Sequence, residues 1–291
     1  MRIIPKLSIG LSVAAVLLGA CSSGESTQTD TVNKPSIVAT YSILGDVVQQ
    51  LVGDLATVTV VIPDGQDPHE FQPSAKDVET LNNASIVISN GLDFEEGLLD
   101  PLATAINAGI PEFRLGDNVT TRVLDGGADP HLWLSPAKFL EAIPALTEAI
   151  EQATGLDLAD QSVAITSQLT EIDAQVASIL SGVTCNLVSG HDEMGYFADR
   201  YGCTNIGAII PSFSTTAEAS AGELAKLKDQ IAQYNVKAIF TGLGTSQEVA
   251  NQLANETGVK AVSLSTHYLN GATNYREFML HLAQQIADAL Q

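Results

Sequence analysis

Positive charge is scarce in this chain. Of its 291 residues only 13 are Lys or Arg, against 34 Asp or Glu, giving a net charge of −21. A surface of that sign repels phosphate backbones, which argues against a nucleic-acid partner. Aromatic residues make up only 5%, too few for a base-stacking platform. Cysteine occurs three times, too rarely for a disulfide scaffold or a Cys-rich zinc module. The small and apolar stretch at residues 8–20 covers about 13 positions, short of the roughly 20 that a spanning helix needs. Apolar residues are plentiful at 45%, enough for a buried core, so a mainly disordered chain is excluded. The length suits one large domain or two ordinary ones. An acidic surface suits cations, or a solvent-exposed location.

The N-terminus reads as a targeting segment. Arg2 and Lys6 precede the apolar stretch, the pattern of a secretory signal over residues 1–20. It ends Leu18-Gly19-Ala20-Cys21, which resembles a bacterial lipobox, where the Cys is lipidated and becomes the first residue. An ordinary signal with a chance Cys is the alternative. Residues 22–30 hold no apolar side chain, so 21–34 is expected to be a lipidated Cys followed by a flexible tether. The chain would then be held at the cell membrane from outside. In that oxidising compartment Cys185 and Cys203, each at the start of an expected strand, are expected to be bridged; two buried free thiols are the alternative.

From residue 35 short apolar runs alternate with helical patterns. Strands are expected at 37–40, 58–62, 86–89 and 112–115, with helices at 43–52, 75–81 and 94–108 between them. After an amphipathic helix at 136–153, residues 156–180 run without Pro or Gly and predict one long helix. Alternation then resumes, with strands at 186–189, 206–210, 236–240 and 261–264. Helices are expected at 192–201, 221–234, 246–257 and 275–290. Strand–helix alternation predicts parallel sheets. The expectation is therefore an α/β fold of two parallel-sheet lobes, at 35–155 and 182–291. One long rigid helix at 156–181 would join them, with the site in the interlobe cleft. Ligands of open α/β sheets bind at the carboxyl ends of the strands.

His69, His131, His191 and His267 fall in expected loops or at element starts, two in each lobe; His281 lies inside the last helix. Neutral imidazole is the commonest metal donor, and four converging rings would make one tetrahedral nitrogen site. Here the sequence carries specific motifs. One is Pro63-Asp64-Gly65-Gln66-Asp67-Pro68-His69-Glu70-Phe71-Gln72-Pro73, followed by Asp77 and Leu81. A second is Asn90-Gly91 with Phe94-Glu95. A third is Asp129-Pro130-His131-Leu132-Trp133-Leu134-Ser135-Pro136. A fourth is His191-Asp192-Glu193-Met194-Gly195-Tyr196-Phe197 with Arg200-Tyr201-Gly202.

In these motifs the chain resembles the metal-binding solute-binding lipoproteins of bacterial ABC importers, the zinc and manganese class, over residues 38–290. The resemblance implies that His69, His131 and His191 are metal ligands. It also implies an ABC permease and its ATPase as partners, and a monomer. Two departures stand out: Gly97 where the family usually has Trp, read as repacking, and Gly242 where it often has Glu. The fourth ligand in the family is an Asp in a segment matched here by Leu264-Ser265-Thr266-His267-Tyr268-Leu269. In one register His267 takes that place; in the other Ser265 does, and the site loses a protein ligand.

Zinc accepts imidazole and tetrahedral geometry, whereas manganese prefers oxygen donors. A set without carboxylates favours Zn2+, with Mn2+ the alternative. Asp67, Glu70, Asp129 and Asp192 adjoin the histidines and are expected as partners of the ligand rings. No His-Glu-x-x-His run and no Gly-x-Ser-x-Gly elbow is present, so the chain is not read as an enzyme. A surface adhesin-type lipoprotein with structural metal is a further alternative.

Overall fold

The computed structural model describes residues 34–124 and 127–291. The expected signal segment, Cys21 and the tether up to residue 33 lie outside the described residues. Two four-stranded parallel sheets organise the chain, and the expected strand–helix alternation is present in both.

The first sheet holds β1 (Ser36–Tyr41), β2 (Thr57–Ile62), β3 (Ile86–Ser89) and β4 (Glu112–Arg114), in the order β2-β1-β3-β4. Ile37, Val38, Ile86, Val87 and Ile88 are buried, as the apolar runs of a sheet covered on both faces should be. Helices α1 (Ser42–Val52), α2 (Ala75–Asn82) and α3 (Leu99–Asn107) connect these strands. At the start of α2, Ser74 accepts from the Asp77 backbone N–H and Asp77 accepts from the Ser74 backbone, a reciprocal cap. Strand order reverses between β1 and β3, which opens a crevice at their carboxyl ends. A short antiparallel pair follows, β5 (Val123–Leu124) and β6 (Gly127–Ala128).

Helix α4 (Pro136–Thr154) starts on a proline and ends at Gly155, whose φ of 73° suits glycine. Leu158 is buried in the turn that follows, and Glu151 accepts its backbone N–H at 2.8 Å. The long helix therefore begins at Ala159 rather than 156, because these residues form a packed corner. Helix α5 (Ala159–Leu180) has 22 residues, roughly 33 Å. It packs against α4, α1 and the last helix of the chain.

The second sheet holds β7 (Asn186–His191), β8 (Thr204–Ile210), β9 (Ala238–Thr241) and β10 (Lys260–Ser263), in the order β10-β9-β7-β8. Its helices are α6 (Gly195–Tyr201), α7 (Ala221–Gln233), α8 (Gln247–Thr257) and α9 (Tyr275–Leu290). Helix α6 is shorter than the expected 192–201, since residues 192–194 form the turn that leaves β7. One core cluster runs through both lobes; a smaller one lies where α7 and α8 cover the second sheet. Helix α9 returns to the first lobe, where Asp46 of α1 accepts the Tyr275 backbone N–H at 2.7 Å. None of the helices among the described residues is long and apolar enough to cross a membrane.

Cys185 and Cys203 are joined in a disulfide, with Cα atoms 4.6 Å apart. Each precedes its strand by one residue, and Asn186 pairs with Thr204 directly beyond. The bridge therefore ties the amino ends of β7 and β8, far from the carboxyl-end crevice. With the cysteines 18 positions apart, replacing both with Ala should destabilise the fold by about 3 kcal/mol. Urea unfolding of that variant is the check, and an unchanged midpoint would mean the pairing alone holds this edge.

Candidate metal centre

Each histidine is placed by the end of a different structural segment. His69 follows β2, and His131 follows β6 just before the helical turn Leu132–Leu134. His191 is the last residue of β7, and His267 follows β10. One nitrogen from each of the four rings lies within 4.8 Å of the others. All four residues are buried, at 3% exposure or less. Four nitrogens bound to one zinc ion at 2.0–2.1 Å stand roughly 3.3 Å apart, so a modest contraction converts this cluster into a tetrahedral shell. His281 remains in α9, away from the cluster. The Ser265 hydroxyl is directed at the Tyr268 carbonyl, 3.1 Å away.

Protein oxygens orient the rings. Asp129 Oδ1 lies 2.9 Å from His131 Nδ1, and its Oδ2 is paired with Arg122 at 2.8 Å. Glu193 Oε2 is 3.8 Å from His191 Nδ1 and 3.6 Å from His267 Nδ1, while Thr266 Oγ1 donates to the same oxygen at 2.5 Å. Thr266 Oγ1 is also 3.0 Å from His267 Nδ1. Glu96 Oε1 lies 3.3 Å from His69 Nδ1. Every Nδ1 thus faces an oxygen, which leaves each Nε2 for the centre. The His131 and His191 Nε2 atoms approach to 3.0 Å, close enough for both to face one shared cation.

Of the four carboxylates expected beside the rings, only Asp129 has that role. Asp67 Oδ1 accepts the His69 backbone N–H instead. Asp192 turns away to Asn205, and Glu70 is exposed. Glu193 and Glu96 do what those residues were expected to do. Glu193 had a sequence signal, since it stands two positions from His191 as Asp67 and Asp129 stand two from their histidines. Glu96 had none, because its partner is 27 positions away in the chain. At Gly97 the backbone packs directly on the Phe71 segment: a Cβ there would fall 1.9 Å from the Phe71 carbonyl oxygen. At Gly242 a Cβ would fall 2.6 Å from the Leu264 carbonyl.

Apolar walls complete the site. The Phe94 ring is 5.0 Å from His69, and Trp133 is 5.3 Å from His131 and 5.7 Å from His267. Trp133 Nε1 donates to the Thr266 carbonyl, joining the loops of His131 and His267. Asn90 Nδ2 donates to the Pro130 carbonyl at 2.8 Å and braces the same loop from β3.

The comparisons with known proteins bear on this geometry. The family described as zinc-uptake complex component A, periplasmic (ZnuA) matches residues 37–289. The chain belongs to the ZnuA family. Its relatives include the manganese-binding lipoprotein MntA of Halalkalibacterium halodurans, 23% identical, with 94% of each chain covered. The zinc-binding lipoprotein AdcA of Streptococcus pneumoniae is 28% identical over 88% of this chain, which spans about half, 54%, of AdcA. The iron ABC transporter substrate-binding lipoprotein MtsA of Streptococcus pyogenes is 25% identical, covering 88% of this chain and 87% of its own. Among solved structures, the periplasmic zinc-binding protein TroA of Treponema pallidum has a TM-score of 0.80 at 23% identity, covering 88% of this chain and 99% of its own. A ZnuA crystal structure has a TM-score of 0.78 at 24% identity, covering 89% and 100%. These two likenesses show the ZnuA-type fold, and the family resemblance read from the histidine motifs holds.

Burial governs the protons of the site. Burial first, and then the nearness of His131, pulls His69 from 6.5 down to about 3. Burial likewise lowers His191 and His267 well below their ordinary value. An unfolded chain takes up protons at these rings below pH 6.5 and the folded chain does not. These rings therefore withdraw stability from the metal-free fold as the pH falls below 6.5. Glu193 acts in the opposite sense, because burial raises its carboxyl from 4.5 to about 7 and the folded state gains a proton in that interval. Burial also raises Asp46, Asp67, Glu95 and Asp192, which act in the same sense as Glu193. In chelator-stripped protein, His69→Asn should flatten the fall in stability from pH 6.5 to about 5, by up to about 1.4 kcal/mol per pH unit. Denaturant titrations at several pH values check this, and an unaltered slope would mean that His69 takes up its proton while folded.

Proposed function

We propose that the chain captures one divalent transition-metal ion outside the cytoplasm, zinc in preference to manganese, and delivers it to an ABC permease driven by its ATPase. His69, His131, His191 and His267 are the ligands, and the ion is cargo. The observation that carries the reading is the donor set: four buried imidazole nitrogens converge on one point with no carboxylate among them. Neutral nitrogen donors at tetrahedral spacing suit zinc. Glu96 and Glu193 supply two negative charges to offset the ion, since Asp129 is already paired with Arg122. A four-coordinate shell keeps no open position for a substrate, so this reading assigns no catalysis. Manganese is the second reading. The MntA relative favours it, as do three carboxylates standing within 3.8 Å of the rings.

The same proposal includes anchoring through a lipid on Cys21 and a tether to residue 34. It divides the rest into a first lobe at 35–155, a connecting helix at 156–181 and a second lobe at 182–291, acting as a monomer. Cys21→Ser should release the protein from the membrane fraction, and retention of that variant would count against the anchor. Metal analysis of protein purified without chelator should find about one zinc per chain.

His267 decides the shell. His267→Ala should lower zinc affinity at least tenfold, about 1.4 kcal/mol. His267→Asp should restore a donor and shift relative preference towards manganese, since a hard anionic oxygen suits that ion better than imidazole. His281→Ala should bind as the parent does. Competition titrations with zinc and manganese compare the variants. Parental zinc affinity in His267→Ala would leave a three-ligand site with an open position.

A further inference from the structure

We propose that Glu96 and Ser214 form an interlobe latch that positions His69 and sets the rate at which the ion leaves; the inference rests on the metal-capture reading. His131, His191 and His267 are oriented by Asp129 and Glu193, whose side chains are 0% and 3% exposed. His69 is oriented differently. The charged group beside its Nδ1 is Glu96, 3.3 Å away and within ion-pair reach, though not aligned as a hydrogen bond. The Glu96 side chain is 35% exposed. Its Oε1 also accepts from Ser214 Oγ at 2.5 Å, across 118 positions of sequence and from the opposite lobe.

Both partners are held in place. Ser214 Oγ lies 2.7 Å from Thr216 Oγ1 and accepts the Thr216 backbone N–H at 3.1 Å. The Ser214 backbone N–H donates to Ser212 Oγ at 3.2 Å. On the other side, the missing side chain of Gly97 lets the Glu96 segment approach the Phe71 backbone, and so reach His69 two residues before it. A cavity of about 1400 Å3 opens beside this contact, lined by Glu96, Ser214, Phe213 and Asp192. Of the four histidines, His69 alone lines it. The ring that faces the opening is therefore the ring whose orientation depends on a contact between the lobes. Breaking that contact frees His69 to swing towards the cavity while three ligands remain fixed.

The test uses the full-length protein loaded with zinc and mixed rapidly with excess chelator. One-to-one loading of the parent is read first; its absence sinks the metal-capture reading and the latch with it. Ser214→Ala should speed release about tenfold, the weight of one charge-assisted hydrogen bond at a half-buried place, and Glu96→Ala at least as much, since it also removes the His69 contact. The double variant should release no faster than Glu96→Ala alone, because both changes remove one contact. Ser214→Thr keeps the hydroxyl and should restore the parental rate. The metal-free variants should unfold cooperatively, with the midpoint lowered by no more than the loss of one such hydrogen bond gives, which separates gating from a general loss of structure. Normal loading followed by parental release rates in both alanine variants would overturn the latch alone, as would additive effects in the double variant.

Discussion

Four imidazole nitrogens share a space that water barely reaches, with three glutamate and aspartate side chains turned towards the outer faces of the rings. Without a cation such a cluster is poorly satisfied: both nitrogens of His69 and Nε2 of His267 lack a hydrogen-bond partner. Unpartnered buried polar atoms cost free energy that the surrounding fold must supply. Binding an ion removes that penalty, so the affinity of the site includes energy stored in packing elsewhere. Phe94 and Trp133 exclude water, and the capped helices, the long α5 and the returning α9 hold the strands whose ends carry the rings.

The two sheets do this work by topology. Each reverses its strand order beside its first strand, β1 in one lobe and β7 in the other, and each offers loops at the carboxyl ends of its strands. No single loop carries two of the histidines. The rings therefore meet only if both sheets and the α5 corner are correctly placed. Tyr196 shows how closely the halves are tied, since its hydroxyl accepts from the Arg122 backbone N–H and donates to the Asp129 carbonyl, both at 2.9 Å. That bond binds the helix after His191 to the residue that orients His131.

Much of this was legible in the sequence. Apolar runs of four to six residues, separated by helical spacing, announced the parallel strands, and the histidines next to Asp-Pro and at strand ends announced the cluster. What escaped was non-local. Glu70 and Asp192 adjoin ligands in sequence yet face solvent and Asn205, because the turn closed between Asp67 and Glu70, and the bend that leaves β7, send neighbouring side chains in different directions. Glu96 reaches His69 only because two loops touch at Gly97, and a backbone–backbone approach leaves no pattern of residue types to read. The corner at Leu158 was hidden in the same way, since its apolar neighbours fit a continuous helix as well as a packed turn.

The indole that joins the loops of His131 and His267 is the only tryptophan in the chain. It is fully buried, and three of its closest aromatic neighbours are Phe94 and the two imidazoles. Its emission therefore comes from one fixed place between the lobes, with no second indole to average against. The fold carries its own optical probe, aimed at the segment that bears the fourth histidine.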